Sequence, residues 1–175
     1  LGVAGALCDS GGGGGGGGGE GVDVDCEWWQ VLFVSNVGQE MFSLYKNNRS
    51  ETVSDVARRT GVAQATRLFR RWGIKFFEYD DDGALDLFLA NGHPDDMIDN
   101  SSQQVKYREP LVLFHHENGK MRNVSAEAGP AFMKAFPARG MAIGDFNNDG
   151  RIDVLIGNNG GAPVLLRNNA GQGSH

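Results

Sequence analysis

Asp145-Phe146-Asn147-Asn148-Asp149-Gly150-Arg151-Ile152-Asp153 decides how this chain is read, because Glu78-Tyr79-Asp80-Asp81-Asp82-Gly83-Ala84-Leu85-Asp86 follows the same plan. In both stretches oxygen-bearing side chains stand at positions 1, 3, 5 and 9, and glycine stands at position 6. A tight bend lets alternate side chains converge on one point. That arrangement suits a hard cation such as calcium, which takes six to eight oxygen ligands. The candidate ligands are Glu78, Asp80, Asp82 and Asp86 with the carbonyl of Ala84, and Asp145, Asn147, Asp149 and Asp153 with the carbonyl of Arg151. Without a cation the clustered carboxylates repel one another, so Ca2+ is expected to hold the bends as well as occupy them. A single Asp-Asn-Asp-Gly run is as readily an ordinary surface turn, its Asx side chains bonding their own backbone. Two loops with the same ligand positions, the same glycine and the same apolar run behind them favour the metal.

A helical calcium hand opens in a similar way, but it needs a glutamate at position 12 and helices on both sides. Here position 12 is Leu89 or Ile156, each inside a strand-like run. Magnesium fits less well, since it prefers rigid octahedral sites and keeps several waters.

Outward from the loops the chain repeats. Leu32-Phe33-Val34-Ser35-Asn36 matches Leu87-Phe88-Leu89-Ala90-Asn91 and Val154-Leu155-Ile156-Gly157-Asn158. Leu44-Tyr45-Lys46-Asn47-Asn48 resembles Leu113-Phe114-His115-His116 and Leu165-Leu166-Arg167-Asn168-Asn169, and Val56 to Gly61 resembles Val124 to Gly129. Three kinds of segment recur in one order, which marks a repeat architecture. The units are short apolar or alternating runs bounded by Gly, Asn and Asp, the chemistry of strands and turns. Runs apolar on both faces belong between neighbouring sheets. Several strands per repeat point to propeller blades. Short helical turns are expected within 52–61 and 125–129. Counting back from Asn36 places Asp23, Asp25 and Glu27 at loop positions 1, 3 and 5, but Trp28 and Val31 replace the glycine and the last aspartate. That first loop is expected to bind metal poorly or not at all.

The expected organisation is a disordered glycine-rich segment over 1–21, centred on the nine glycines Gly11 to Gly19, then a β-rich unit over 22–175 with repeats at about 22–72, 73–139 and 140–175. Glycine runs bury no side chain and lose the most backbone entropy on folding. Of 22 acidic residues, eight lie in the two nine-residue windows, and removing them from the formal charge of −6 leaves +2. The acidity therefore belongs to sites, and no basic face for nucleic acid exists. Two cysteines, Cys8 and Cys26, define no disulfide framework or metal motif. No apolar run is long enough to span a bilayer as a helix. The apolar Leu1 to Leu7 before Cys8 faintly suggests a lipoprotein start, against which stand the bulky Leu7 and the lack of a charged leading segment.

The strand–loop–strand units from Gly73 to Asn91 and from Gly140 to Asn158 resemble FG-GAP/VCBS repeats. More narrowly, Met41 to Asn48, Ala90 to Asp96 and Asn158 to Pro163 resemble bacterial proteins akin to cartilage acidic protein, in which an ASPIC/UnbV domain follows the propeller. The resemblance covers about 31–173. It implies an all-β, partial β-propeller of about three blades with calcium loops, further blades in the full-length protein, and an extracellular, cell-surface or periplasmic location. Glu78 departs from the pattern, standing where aspartate is usual. About three blades are fewer than a closed ring needs, so an unpaired blade edge prone to association is expected.

Function is expected to be calcium-stabilised binding or adhesion, with protein or glycan as ligand and no catalysis. No nucleophile elbow, phosphate loop or HExxH motif is present. The competing reading is a propeller-based hydrolase or lyase using His93, Asp95 and Asp96; a third is a purely structural part of a larger assembly. His115 and His116, adjacent on a strand, are expected to face opposite ways and not to share a site.

Overall fold

The computed structural model describes residues 2–5, 31–35, 42–48 and 51–170. Nearly all regular structure is antiparallel strand. β1 (Gly2–Gly5), β2 (Val31–Ser35), β3 (Ser43–Asn47) and β4 (Val53–Asp55) form the first sheet in chain order. β5 (Arg71–Phe77), β6 (Asp86–Asn91), β8 (Val112–Glu117) and β9 (Lys120–Asn123) form the second, with β7 (Glu109–Pro110) in the preceding connection. β7 pairs instead with β10 (Ala135–Phe136) at the entry to the third sheet, which consists of β11 (Ala138–Gly144), β12 (Asp153–Asn158) and β13 (Val164–Leu166). Each sheet is a meander, the connection that short turns between sequential strands impose.

The sheets stack face to face with their first strands side by side, β5 lying between β1 and β11. Period-2 alternation along each strand decides which residues fill which layer. Phe33, Phe42 and Leu44 of the first sheet meet Ile74, Phe76, Leu87, Leu89 and Phe114 of the second. From its other face, the second sheet sends Phe77, Phe88, Ala90 and Leu113 against Val154, Ile156, Met141, Ile143 and Leu166 of the third. β6 is buried at all six positions, and the continuous apolar run over its middle four residues, 87–90, is therefore the expected signature of a strand held between two sheets.

After the fourth strand of each complete sheet a valine turns inward. Val56 N–H bonds the Leu44 carbonyl at 2.7 Å and Val124 N–H bonds the Leu113 carbonyl at 2.9 Å. The turns expected at these places form, as α1 (Ala57–Thr60) within 52–61 and as a hydrogen-bonded turn at 125–127 in which the Ala128 N–H bonds the Val124 carbonyl at 3.1 Å. Outside them, α2 (Val62–Ala65) joins α1 in covering the first layer and α3 (Ile98–Ser101) sits in the long connection between β6 and β7. No described helix is long and apolar enough to cross a membrane.

Within 1–21, the span expected to be disordered, Gly2–Gly5 is instead a strand paired residue for residue with 32–35 of β2; the rest of that span lies outside the described residues. Pairing needs only backbone N–H and C=O groups, so glycine content does not forbid it, and β2 would otherwise lack a neighbour on one side. The inner strands of the next sheets begin at Arg71 and Ala138. The nine glycines, both cysteines and the degenerate loop Asp23, Asp25 and Glu27 lie outside the described residues.

At the end of β5 away from its loop, Arg71 is buried over the Phe42 ring, with Nε donating to Asn91 Oδ1 at 3.2 Å. Beside it Glu109, only 3% exposed, accepts the Arg70 N–H at 2.7 Å. Burial pushes the Glu109 carboxyl up to about 7, against the opposing pull of that N–H and the nearby arginines. Because the folded-state value is raised, the folded chain binds the proton more tightly. The resulting stability is full below the unfolded value of about 4.5 and is lost as pH rises through about 7. Urea titrations at pH 5 and pH 8 should therefore show Glu109→Gln lacking a pH-dependent loss, on the order of 3 kcal/mol, that the parent chain suffers. Parallel pH profiles for the two proteins would refute this assignment.

Candidate metal loops

Both loops are built the same way. Position 1 directly follows the innermost strand, and position 9 is the first residue of the next strand, Asp86 of β6 or Asp153 of β12. Position 4 takes positive φ in each (Asp81 60°, Asn148 56°), and so does the glycine at position 6 (Gly83 85°, Gly150 86°). Asp, Asn and Gly are the residues that accept this left-handed geometry most readily. Leu89 and Ile156, at position 12 where a helical hand needs a glutamate, are fully buried strand residues.

The side chains first organise their own backbone. At position 1, Glu78 accepts the Gly83 N–H, and Asp145 accepts those of Asp149 at 3.1 Å and Gly150 at 2.8 Å. At position 5, Asp82 accepts from Ala84 at 2.8 Å and Asp149 from Arg151 at 3.0 Å. The residues expected to offer carbonyls, Ala84 and Arg151, are thus tied back to the carboxylates beside them.

Position 9 does more than face a cation. Asp86, fully buried, accepts the Tyr79 N–H at 3.2 Å and the His116 N–H at 2.8 Å. Asp153 accepts the Phe146 N–H at 3.1 Å and the Asn168 N–H at 2.8 Å. In each case one carboxylate clasps its own loop to the third strand of its sheet or the residues just past it. Burial pushes the Asp86 carboxyl up to about 6, with the Asp80 charge adding and the two N–H groups opposing.

Position 3 is different. Asp80 Oδ1 and Asn147 Oδ1 are buried and have no hydrogen-bond partner. The same oxygen is left unsatisfied in both loops, and a buried acceptor without a partner costs free energy. A cation ligated there would satisfy both, so the residues present fit a hard divalent ion.

The loops differ in what enters from the third strand. His115, on β8, reaches into the first loop. Its Nδ1 lies 3.1 Å from Asp86 Oδ1 and 3.4 Å from Asp80 Oδ2, and its Nε2 lies 3.7 Å from Asp82 Oδ2. Asp80, Asp86 and His115 each offer one atom within 4.8 Å of the others, a spacing one metal ion could bridge. Tyr79 packs its edge on the His115 ring, centroids 6.0 Å apart, and burial beside Asp80 and Asp86 pushes its hydroxyl up to about 12. In the second loop the equivalent residue is Arg167, whose Nη2 lies 4.0 Å from Asp149 Oδ2, and Arg151 Nη2 donates to that oxygen at 2.6 Å. Among the described residues the second loop has no such group, because the counterparts of Asp80 and His115 are Asn147 and Arg167.

His115 was passed over in the sequence, where the question was whether it and His116 shared a site. The alignment of His115 with Arg167, directly after the segment that pairs with the position-9 strand, was the available signal. His93 is buried in a turn: its Nδ1 accepts the Asp95 N–H at 3.1 Å, and its carbonyl accepts from Arg139 Nη2 at 2.8 Å. The Asp95 carboxylate accepts the Met97 N–H at 2.9 Å. These groups serve the connection they stand in.

Residues 78–156, from position 1 of the first loop to β12, match the family model of the FG-GAP-like repeat. The chain therefore carries an FG-GAP-like repeat in an antiparallel all-β setting, and the matched segment contains both loops. No curated protein matches the chain.

Proposed function

We propose that the chain forms about three blades of a calcium-stabilised β-propeller that serves as an extracellular or cell-surface binding module for protein or glycan. The reading rests above all on the shared loop design, in which position 3 presents a buried, unpartnered oxygen in both copies. Positive φ at positions 4 and 6 of each loop supports it. Glu78, Asp80, Asp82 and Asp86 with the Ala84 carbonyl would hold one ion, His115 standing beside it. Asp145, Asn147, Asp149 and Asp153 with the Arg151 carbonyl would hold the other. The bound ion would supply positive charge that offsets carboxylate repulsion and fixes the bend between adjacent strands. The likeness to ASPIC/UnbV-associated proteins belongs to this reading, as does placement outside the cytoplasm.

Calorimetric titration with Ca2+ after chelator treatment tests it. Two sites of order 10⁻⁴–10⁻³ M are expected, the range of extracellular modules. Calcium at about a hundredfold above the dissociation constant should stabilise the fold by about 2.7 kcal/mol per site, visible as a raised Tm. Absence of both heat and Tm shift would remove the calcium reading. Turnover of a glycosidic or ester substrate that is lost in His93→Ala would replace binding by catalysis.

A further inference from the structure

The two loops share one backbone plan and differ in their donors. The second offers oxygen alone, from the carboxylates of Asp145, Asp149 and Asp153 and the amide of Asn147. Guanidinium groups already face it, with Arg151 Nη2 2.6 Å and Arg167 Nη2 4.0 Å from Asp149 Oδ2. The first loop has four carboxylates, and the register places His115 where the second has Arg167. An imidazole nitrogen is thereby added to an oxygen set.

Its placement is that of a ligand. Two donors each held about 2.1 Å from one ion stand about 3.0 Å apart at an octahedral angle and about 3.4 Å apart at a tetrahedral one. His115 Nδ1 lies 3.1 Å from Asp86 Oδ1 and 3.4 Å from Asp80 Oδ2. The three groups come from the loop, β6 and β8. Asp86 Oδ1 accepts the His116 N–H, which leaves a second lone pair for an ion. The imidazole is held in place: its side chain is 14% exposed, the Tyr79 ring stands edge-on to it, and Nε2 faces Asp82 Oδ2 at 3.7 Å. Nδ1 is therefore the nitrogen turned towards Asp80 and Asp86. A His115–Asp86 hydrogen bond would account for the first distance, but it would leave the buried Asp80 Oδ1 without a partner. An ion satisfies both.

Calcium is hard and takes oxygen ligands, whereas imidazole suits Zn2+ and its first-row neighbours. We propose that the first loop is a mixed nitrogen–oxygen site, with His115 Nδ1, Asp80 and Asp86 as its core ligands, that takes a first-row transition-metal ion such as Zn2+ in preference to calcium. The oxygen-only second loop keeps calcium. This rests on the reading of both bends as metal sites and changes only which ion the first selects.

Competitive calorimetry on the full chain reads the result, in a Cys8→Ser/Cys26→Ser background so that thiols take up no zinc. Starting from calcium-loaded protein, Zn2+ should displace one calcium and bind at least about tenfold more tightly than the ion it replaces. His115→Asn exchanges the ring nitrogen for an amide oxygen of similar reach. It should weaken zinc at least about tenfold and leave calcium binding at both loops. Should that variant melt early, Co2+ loading of the chain with His115 intact gives a reading that needs no substitution: a paramagnetically shifted imidazole N–H resonance, which calcium at both loops cannot produce. Zinc binding no tighter than calcium, zinc binding untouched by His115→Asn, or a cobalt form without a shifted imidazole N–H overturns the proposal. Absent calcium heat with His115-dependent zinc binding intact would instead remove the calcium reading and leave this one standing.

Discussion

Asp86→Ala is expected to lower the unfolding free energy by about 3 kcal/mol or more, with or without calcium. The carboxylate is fully buried and accepts two backbone N–H groups, from Tyr79 in its own loop and from His116 on β8. Alanine leaves both donors without partners, the His116 N–H buried and the Tyr79 N–H partly buried, at about 1–3 kcal/mol for a buried one. It also removes the acceptor nearest His115 Nδ1. Asp86→Asn keeps one carbonyl oxygen and should cost less. Asp153→Ala should repeat the effect through the N–H groups of Phe146 and Asn168. The decisive measurement is urea denaturation in chelator. A loss seen only when calcium is present would mean that the carboxylate acts through the ion and that the backbone clasp contributes little.

The second large effect concerns two glycines that look alike in the sequence. Gly73→Ala should destabilise the chain by about 2–3 kcal/mol, as overpacking between fixed layers does. The new Cβ would stand 2.5 Å from the Met141 Cβ and 3.1 Å from the Ala90 Cβ, so the third sheet would have to move. Met141→Ala should not rescue it, because the clashing atom is the Cβ that alanine retains. Gly140→Ala, with nothing nearby, should fall within about 0.5 kcal/mol of the parent. Equal melting temperatures for the two single variants would show that the sheets are not packed as described.

What could be read in advance was local. Positions 1, 3, 5 and 9 of a nine-residue loop, and the glycine at position 6, carry their geometry in adjacent residues, and alternation within five to seven residues names the strands. The triplicate match of Leu32 to Asn36, Leu87 to Asn91 and Val154 to Asn158 gave the repeat for the same reason. The strand Gly2–Gly5 was missed because its pairing with β2 is a backbone property that side-chain pattern does not report.

The sequence by itself determined the all-β repeat character and the two oxygen-rich bends, since each is set by side-chain chemistry and preferred φ within a few residues. Only the tertiary structure decided that His115 enters the first loop, that Asp86 at position 9 clasps a strand about thirty residues away, and that Gly73 faces another sheet while Gly140 has nothing within 4 Å. Those outcomes depend on which sheet faces come together, and burial of apolar area fixes that across the whole chain, where no local pattern records it.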